Sequence, residues 1–195
     1  MPHITPDSLM TLEAYAKARQ DFRAQVIAHK KDRTVALGDH VTLIFEDELT
    51  IRYQIQEMLR VERIFEEAGI REELAAYNPL LPDGSNWKAT MLIEYPDVVE
   101  RQTKLAILRG IEDRVWAGVA GNDRVYAIAD EDMERANAEK TSAVHFLRFE
   151  LTAPMVAGLK AGADIALGVD HSAYTAAVEH LPAAIKSSLL EDLRS

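Results

Sequence analysis

The densest run of side chains able to do chemistry is Arg52-Tyr53-Gln54-Ile55-Gln56-Glu57-Met58-Leu59-Arg60-Val61-Glu62-Arg63. Within it, Arg52, Gln54, Gln56, Glu57 and Arg60 offer guanidinium forks, amide donors and one carboxylate. A convergent array of that kind suits a carboxylate, a phosphate or a planar polar ligand held by bidentate hydrogen bonds. The plainer alternative is a solvated face laced with ion pairs at helical spacing, such as Glu57 with Arg60. The histidines are the second group. His145 lies mid-strand on an apolar face, where a hydrogen-bonded core histidine is the ordinary outcome. Arg148, three residues on, points to the opposite face of the same strand. Asp170 and His171 close another strand, where side chains reach the loops. His145, His171 and Asp170 or Glu57 would compose a two-histidine, one-carboxylate metal site, but their spacing gives it no support.

Familiar catalytic and cofactor patterns do not occur. The sequence contains no G-x-G-x-x-G after a strand, no phosphate-binding G-x-x-x-x-G-K-[ST], no H-E-x-x-H, no G-x-S-x-G and no E-x-x-H pair. With no cysteine, thiolate zinc sites, disulfides and cluster ligation by the chain itself drop out. The acidic run Asp130-Glu131-Asp132-Met133-Glu134 reads as a solvated face rather than a calcium loop. No resident metal or cofactor is expected.

Local patterning supplies the elements that must carry these groups. Leu12, Tyr15, Phe22 and Val26 define an amphipathic helix over about 11–31, capped by Thr11 and interrupted by Arg19, which could pack as an arm. Alternation predicts a strand over 41–45 and, after Glu46-Asp47-Glu48, a second over 49–55, forming a hairpin. A long helix is predicted over 56–77, so that the polar run sits at a strand-to-helix junction. That reading places Ile51, Tyr53, Ile55, Met58 and Phe65 against the core, with Arg63 outside. A loop over 78–86 follows, then strands near 89–95, 115–119, 125–129, 143–151, 165–169 and 174–179. Further helices open at Asp97, Thr152 and Pro182. The connections are too short for parallel crossovers. The expected fold is therefore one α+β domain over residues 1–195, with a mainly antiparallel, curled sheet or incomplete barrel and packed helices.

Composition bounds the function classes. The 195 residues are 48% hydrophobic and 28% charged, as in a globular chain. No run approaches the ~18 apolar residues of a membrane span, and the first residues lack a secretory pattern, so a cytoplasmic location without membrane contact is expected. There are 32 acidic and 22 basic residues, a formal net charge of −10, which disfavours nucleic-acid binding. The basic cluster His29-Lys30-Lys31-Asp32-Arg33 sits where cations complement the end of the first helix.

Four blocks then carry a family resemblance. They are Tyr53 to Phe65, Tyr77-Asn78-Pro79-Leu80-Leu81-Pro82, Ser142 to Phe149, and Gly168-Val169-Asp170-His171-Ser172-Ala173-Tyr174. In this order they resemble the bacterial family catalogued as domain of unknown function 3501. The resemblance implies no defined activity or catalytic residue. It implies a neighbourhood of rubrerythrin-like proteins and cysteine-rich iron–sulfur proteins. The expectation is a non-enzymatic accessory or assembly protein of a peroxide-defence or electron-transfer system, with iron-containing redox proteins as partners. Two alternatives stand beside it: a small-ligand-binding enzyme or sensor built on the polar junction, and a histidine/carboxylate metal-binding protein.

Overall fold

The structure, a computed structural model, describes residues 3–131 and 140–193. Among these residues, two antiparallel sheets share one hydrophobic core and six α-helices pack around them, giving the α+β class. The first sheet has the order β1-β2-β3-β7-β6, with β1 Thr34–Leu37, β2 Val41–Glu46, β3 Asn86–Ile93, β6 Ile128–Ala129 and β7 Val144–Glu150. The second runs β5-β4-β8-β9, with β4 Val115–Val119, β5 Val125–Tyr126, β8 Ile165–His171 and β9 Tyr174–Val178. The short segment from β5 to β6 passes from one sheet to the other. The sheets do not close into a barrel.

Alternating apolar residues put Leu43, Phe45, Trp87, Met91, Leu147 and Phe149 on the inner face of the first sheet. They meet Val115, Ala117, Ile165, Leu167 and Val169 of the second. Helix α1 spans Leu12–Lys31, with the Thr11 side chain accepting from the Ala14 amide at 3.2 Å. Asp97 and Thr152 cap α4 (Val98–Ile107) and α5 (Ala153–Lys160) in the same manner. The last helix, α6, covers Ala183–Glu191. No helix among the described residues is long and apolar enough to cross a membrane.

The second strand of the expected hairpin is instead a helix. Segment α2 runs Glu48–Glu62, so residues 49–55 are helical and no strand-to-helix junction exists. The cause is local. Asp47 accepts from the Thr50 amide at 3.0 Å, and the Thr50 hydroxyl accepts from the Asp47 amide at 2.9 Å. This reciprocal cap closes the first turn. Ile51, Ile55 and Leu59, four apart, then bury one stripe in a second small core with Ile4, Leu74 and Leu81.

The long helix over 56–77 is likewise two helices. Arg63 adopts a left-handed conformation (φ 55°, ψ 42°) and ends α2, and α3 begins at Glu67 and continues to Tyr77. Phe65, expected in the core, therefore stands 71% exposed. Strand β1 has no counterpart among the expected elements. Part of the acidic run, Asp132 to Glu134, lies outside the described residues, while Asp130 is drawn inward rather than solvated.

Candidate functional site

On a helix, the five polar residues nominated by the sequence cannot share a strand face. Glu57 forms the centre of one network. Its Oε1 accepts from Arg19 Nε at 2.7 Å and from the Tyr15 hydroxyl at 2.7 Å, and its Oε2 accepts from Arg19 Nη2 at 2.8 Å. Arg60 adds a weaker contact at 3.4 Å. Gln56 is buried and pairs with a backbone: its Oε1 accepts from the Met10 amide at 2.7 Å and its Nε2 donates to the Met10 carbonyl at 3.3 Å. Arg52 reaches Ser8 and Glu48. Gln54 faces elsewhere, towards Tyr77.

The structure thus brings Gln56, Glu57 and Arg60 to neighbouring positions but directs them at the chain itself. They clamp α1 and the segment before it onto α2. The decisive partners, Tyr15 and Arg19, were not among the nominated site residues. The signal for them was present, because Arg19 interrupts the apolar stripe of α1.

The electrostatics follow from this geometry. The Arg19 fork holds the Glu57 carboxyl at about 2, with Tyr15 and Arg60 adding to the effect against the opposing cost of burial. The Tyr15 hydroxyl is pushed up, first by burial and then by its bond to Glu57. A folded value below the unfolded one stabilises the protein above the ordinary carboxylate range. That stability is lost as pH falls from about 4.3 towards 2. Glu57→Gln should cost about 1–3 kcal/mol at pH 7 and progressively less below pH 4. Urea melts of both proteins at stepped pH would show a constant difference if the clamp contributed nothing.

His145 is fully buried, as a core histidine should be. Its Nδ1 faces the Asp130 carboxylate. Its Nε2 lies 2.8 Å from the Thr141 hydroxyl and 3.1 Å from the Ser142 carbonyl. Thr141 in turn donates to Glu112 at 3.0 Å. Asp130, Glu112 and Thr141 were missed by sequence reasoning, since nothing local links residues 112, 130 and 145.

Asp170 and His171 do come together. They line an open cleft of about 590 Å³ with Arg109, Asp113 and Arg114. His171 Nε2 donates to the Arg109 carbonyl at 3.0 Å, its Nδ1 accepts from the Ala173 amide at 3.2 Å, and Asp170 accepts from Tyr126 at 2.6 Å. Both ring nitrogens are thus engaged, one in the local turn and one across to Arg109. His145 on β7, His171 on β8 and Glu57 on α2 each have different partners, so the two-histidine, one-carboxylate set is not assembled. Among the described residues no three His, Asp or Glu side chains are grouped as metal ligands. Arg148 lies on β7 beside Lys88 of β3, where both line a cavity of about 250 Å³.

A model of the family described as "Protein of unknown function (DUF3501)" matches residues 3–193. The chain belongs to that family. It is also similar to a solved structure, a novel protein of unknown function from Burkholderia pseudomallei K96243. The two are 57% identical, the match covers 99% of this chain and 100% of the other, and the TM-score is 0.94. No curated protein matches the chain. Family membership agrees with the resemblance carried by the four sequence blocks.

Proposed function

We propose that this member of the family is a non-enzymatic accessory or assembly protein of a bacterial peroxide-defence or electron-transfer system. It acts in the cytoplasm by docking onto iron-containing redox proteins of the rubrerythrin-like or iron–sulfur type. The redox context rests on the family neighbourhood. The mode of action rests on one observation: the chemistry-capable side chains of α2 are turned onto the chain itself, while apolar side chains at its end are left to solvent. Phe65 is 71% exposed at the corner between α2 and α3, and Val61, four residues earlier, is 57% exposed. Val61 lies off the buried stripe of α2, and left-handed Arg63 turns the chain before Phe65, so both side chains stand outside the second core. Large apolar groups held outside a core in this way favour contact with another protein, because covering them releases ordered water.

Tagged protein recovered from native cells should bring down an iron-containing protein. Phe65→Asp should abolish that recovery while shifting the melting curve little, since an exposed side chain contributes little to folding. Undiminished capture by the variant, or capture of no iron protein by the parent, would overturn the reading.

A further inference from the structure

The face of the first sheet that points away from the main core carries a cation, Lys88, for which the described residues supply no partner. Lys88 and Arg148 are directly opposite on β3 and β7, so their side chains emerge together on one face. Like charges in that arrangement repel, and the described carboxylates relieve Arg148. Glu131 accepts from Arg148 Nε and Nη2, both at 2.8 Å, and Glu150 binds Nη1. Both carboxylates are thereby committed to the guanidinium. Among the described residues no hydrogen bond or ion pair closes on the half-buried Lys88 ammonium.

The neighbour across the other strand boundary does not supply one. Glu46 of β2 is directly opposite Lys88, yet it is buried and bonded through Oε1 to the Thr90 hydroxyl at 2.6 Å, and its Oε2 lacks a partner among the described residues. Lys88 lines a cavity together with Glu131, Phe146, Leu147 and Arg148, on the β7 side, and Glu46 is not part of that lining. Burial, and then Arg148, push the Lys88 ammonium down from its ordinary range, as expected for a cation left uncompensated.

The space in front of that ammonium is lined by Pro79 and Leu80 of the turn after α3 and by Phe146 and Leu147 of β7, with the Arg148–Glu131 pair completing the lining. The volume of about 250 Å³ lies just below the roughly 300–1,000 Å³ of sites for drug-sized ligands. A molecule of a few carbons with one anionic end fits both the volume and the lining.

We propose that this cavity binds a small monocarboxylate with an apolar tail, its carboxylate paired with Lys88 and its tail against Leu80 and Phe146. The guanidinium of Arg148, already shared with Glu131 and Glu150, sets the rim of the site rather than its charge. A carboxylate is preferred over a dianion because Lys88 is the one uncompensated cation among the described residues that line the cavity, and the Glu131 carboxylate, held by Arg148, lines it too. This site is independent of the corner at Phe65, so the docking role and the ligand site stand or fall separately.

The test uses hexanoate as the probe and hexan-1-ol as the control lacking charge, titrated into the full chain and followed by amide chemical shifts. Saturable hexanoate binding is expected, with shifts centred on residues 80, 88 and 146–148. Hexan-1-ol and the Lys88→Met variant should each bind at least tenfold more weakly. Lys88→Arg, which keeps the charge, should retain part of the affinity. Lys88→Met should melt no lower than the parent, because it removes an unpaired half-buried cation, and so reports on binding rather than folding. Equal affinity for hexanoate and hexan-1-ol, unchanged binding by Lys88→Met, or no saturable binding would overturn the proposal. So would loss of stability in Lys88→Met that Glu46→Gln reproduces, since Lys88 would then be spent on Glu46 within the fold.

Discussion

Arg33→Met should lower stability by about 3–5 kcal/mol at pH 8, the loss typical of a buried charge pair stripped of one member. Arg33 is only 1% exposed, although it ends a basic cluster that local reasoning assigns to the solvated end of α1. Its guanidinium is nearly saturated. Nε donates to the Phe45 carbonyl at 2.8 Å, Nη1 to the Ser188 hydroxyl at 3.1 Å, and Nη2 to the Glu46 carbonyl at 3.1 Å and to Asp192 at 2.6 Å. One side chain therefore ties the end of β2 to α6. Methionine fills similar space but satisfies none of these acceptors.

The loss should shrink at pH 5. Burial raises the Asp192 carboxyl to about 6, outweighing the attraction of Arg33, with Asp47 pushing the same way. Because the folded value lies above the unfolded one, the group's contribution falls as pH rises from about 4 to about 6. At pH 5 Asp192 is mostly protonated in the parent already, so removing the cation strands less charge. Denaturant melts at the two pH values measure the difference. A penalty that is equal at both, or below about 1 kcal/mol, would mean that Arg33 does not hold the junction through this pair.

His145→Leu should be nearly as damaging, by about 3–5 kcal/mol, for a related reason. The imidazole lies among acceptors on both sides, so both ring nitrogens are placed to donate. Leucine would leave the largely buried Asp130 and Glu112 facing an apolar side chain. Asp130→Asn should cost only about 1–2 kcal/mol. Asparagine keeps an acceptor and tolerates the left-handed backbone that Asp130 adopts at φ 48°. Urea unfolding of the two variants tests the ordering. If His145→Leu proved the milder, the histidine would be filling space rather than joining the carboxylates.

The two corrections to the fold have different origins. The error over residues 49–55 arose because Leu49, Ile51, Tyr53 and Ile55 satisfy a period of two, while Ile51, Ile55 and Leu59 satisfy the helical period equally. The Asp47/Thr50 cap that decides between them is written in the local sequence, where Glu46-Asp47-Glu48 also reads as a turn. The break at Arg63 is different. The apolar spacing of Met58, Val61 and Phe65 continues past it without a proline or glycine to mark the stop. Packing of Ile64 and Ile70 onto the second core, rather than any local preference, turns the chain there.

By itself the sequence determined what depends on neighbours within about one helical turn or along one strand. It determined the α+β class, the alternating faces of β2, β3 and β7, the caps at Thr11, Asp97 and Thr152, and the core position of His145. The tertiary structure alone decided which polar groups meet. Arg19 finds Glu57 across 38 residues and Arg33 finds Asp192 across 159. Lys88 is left opposite Arg148 by the register of β3 on β7. A side chain's type records that it can donate or accept, but the partner is chosen by strand register and helix packing. That choice is why the polar run on α2 became a clamp, while Lys88, unpaired among the described residues, appeared on a strand where local spacing gave no sign of it.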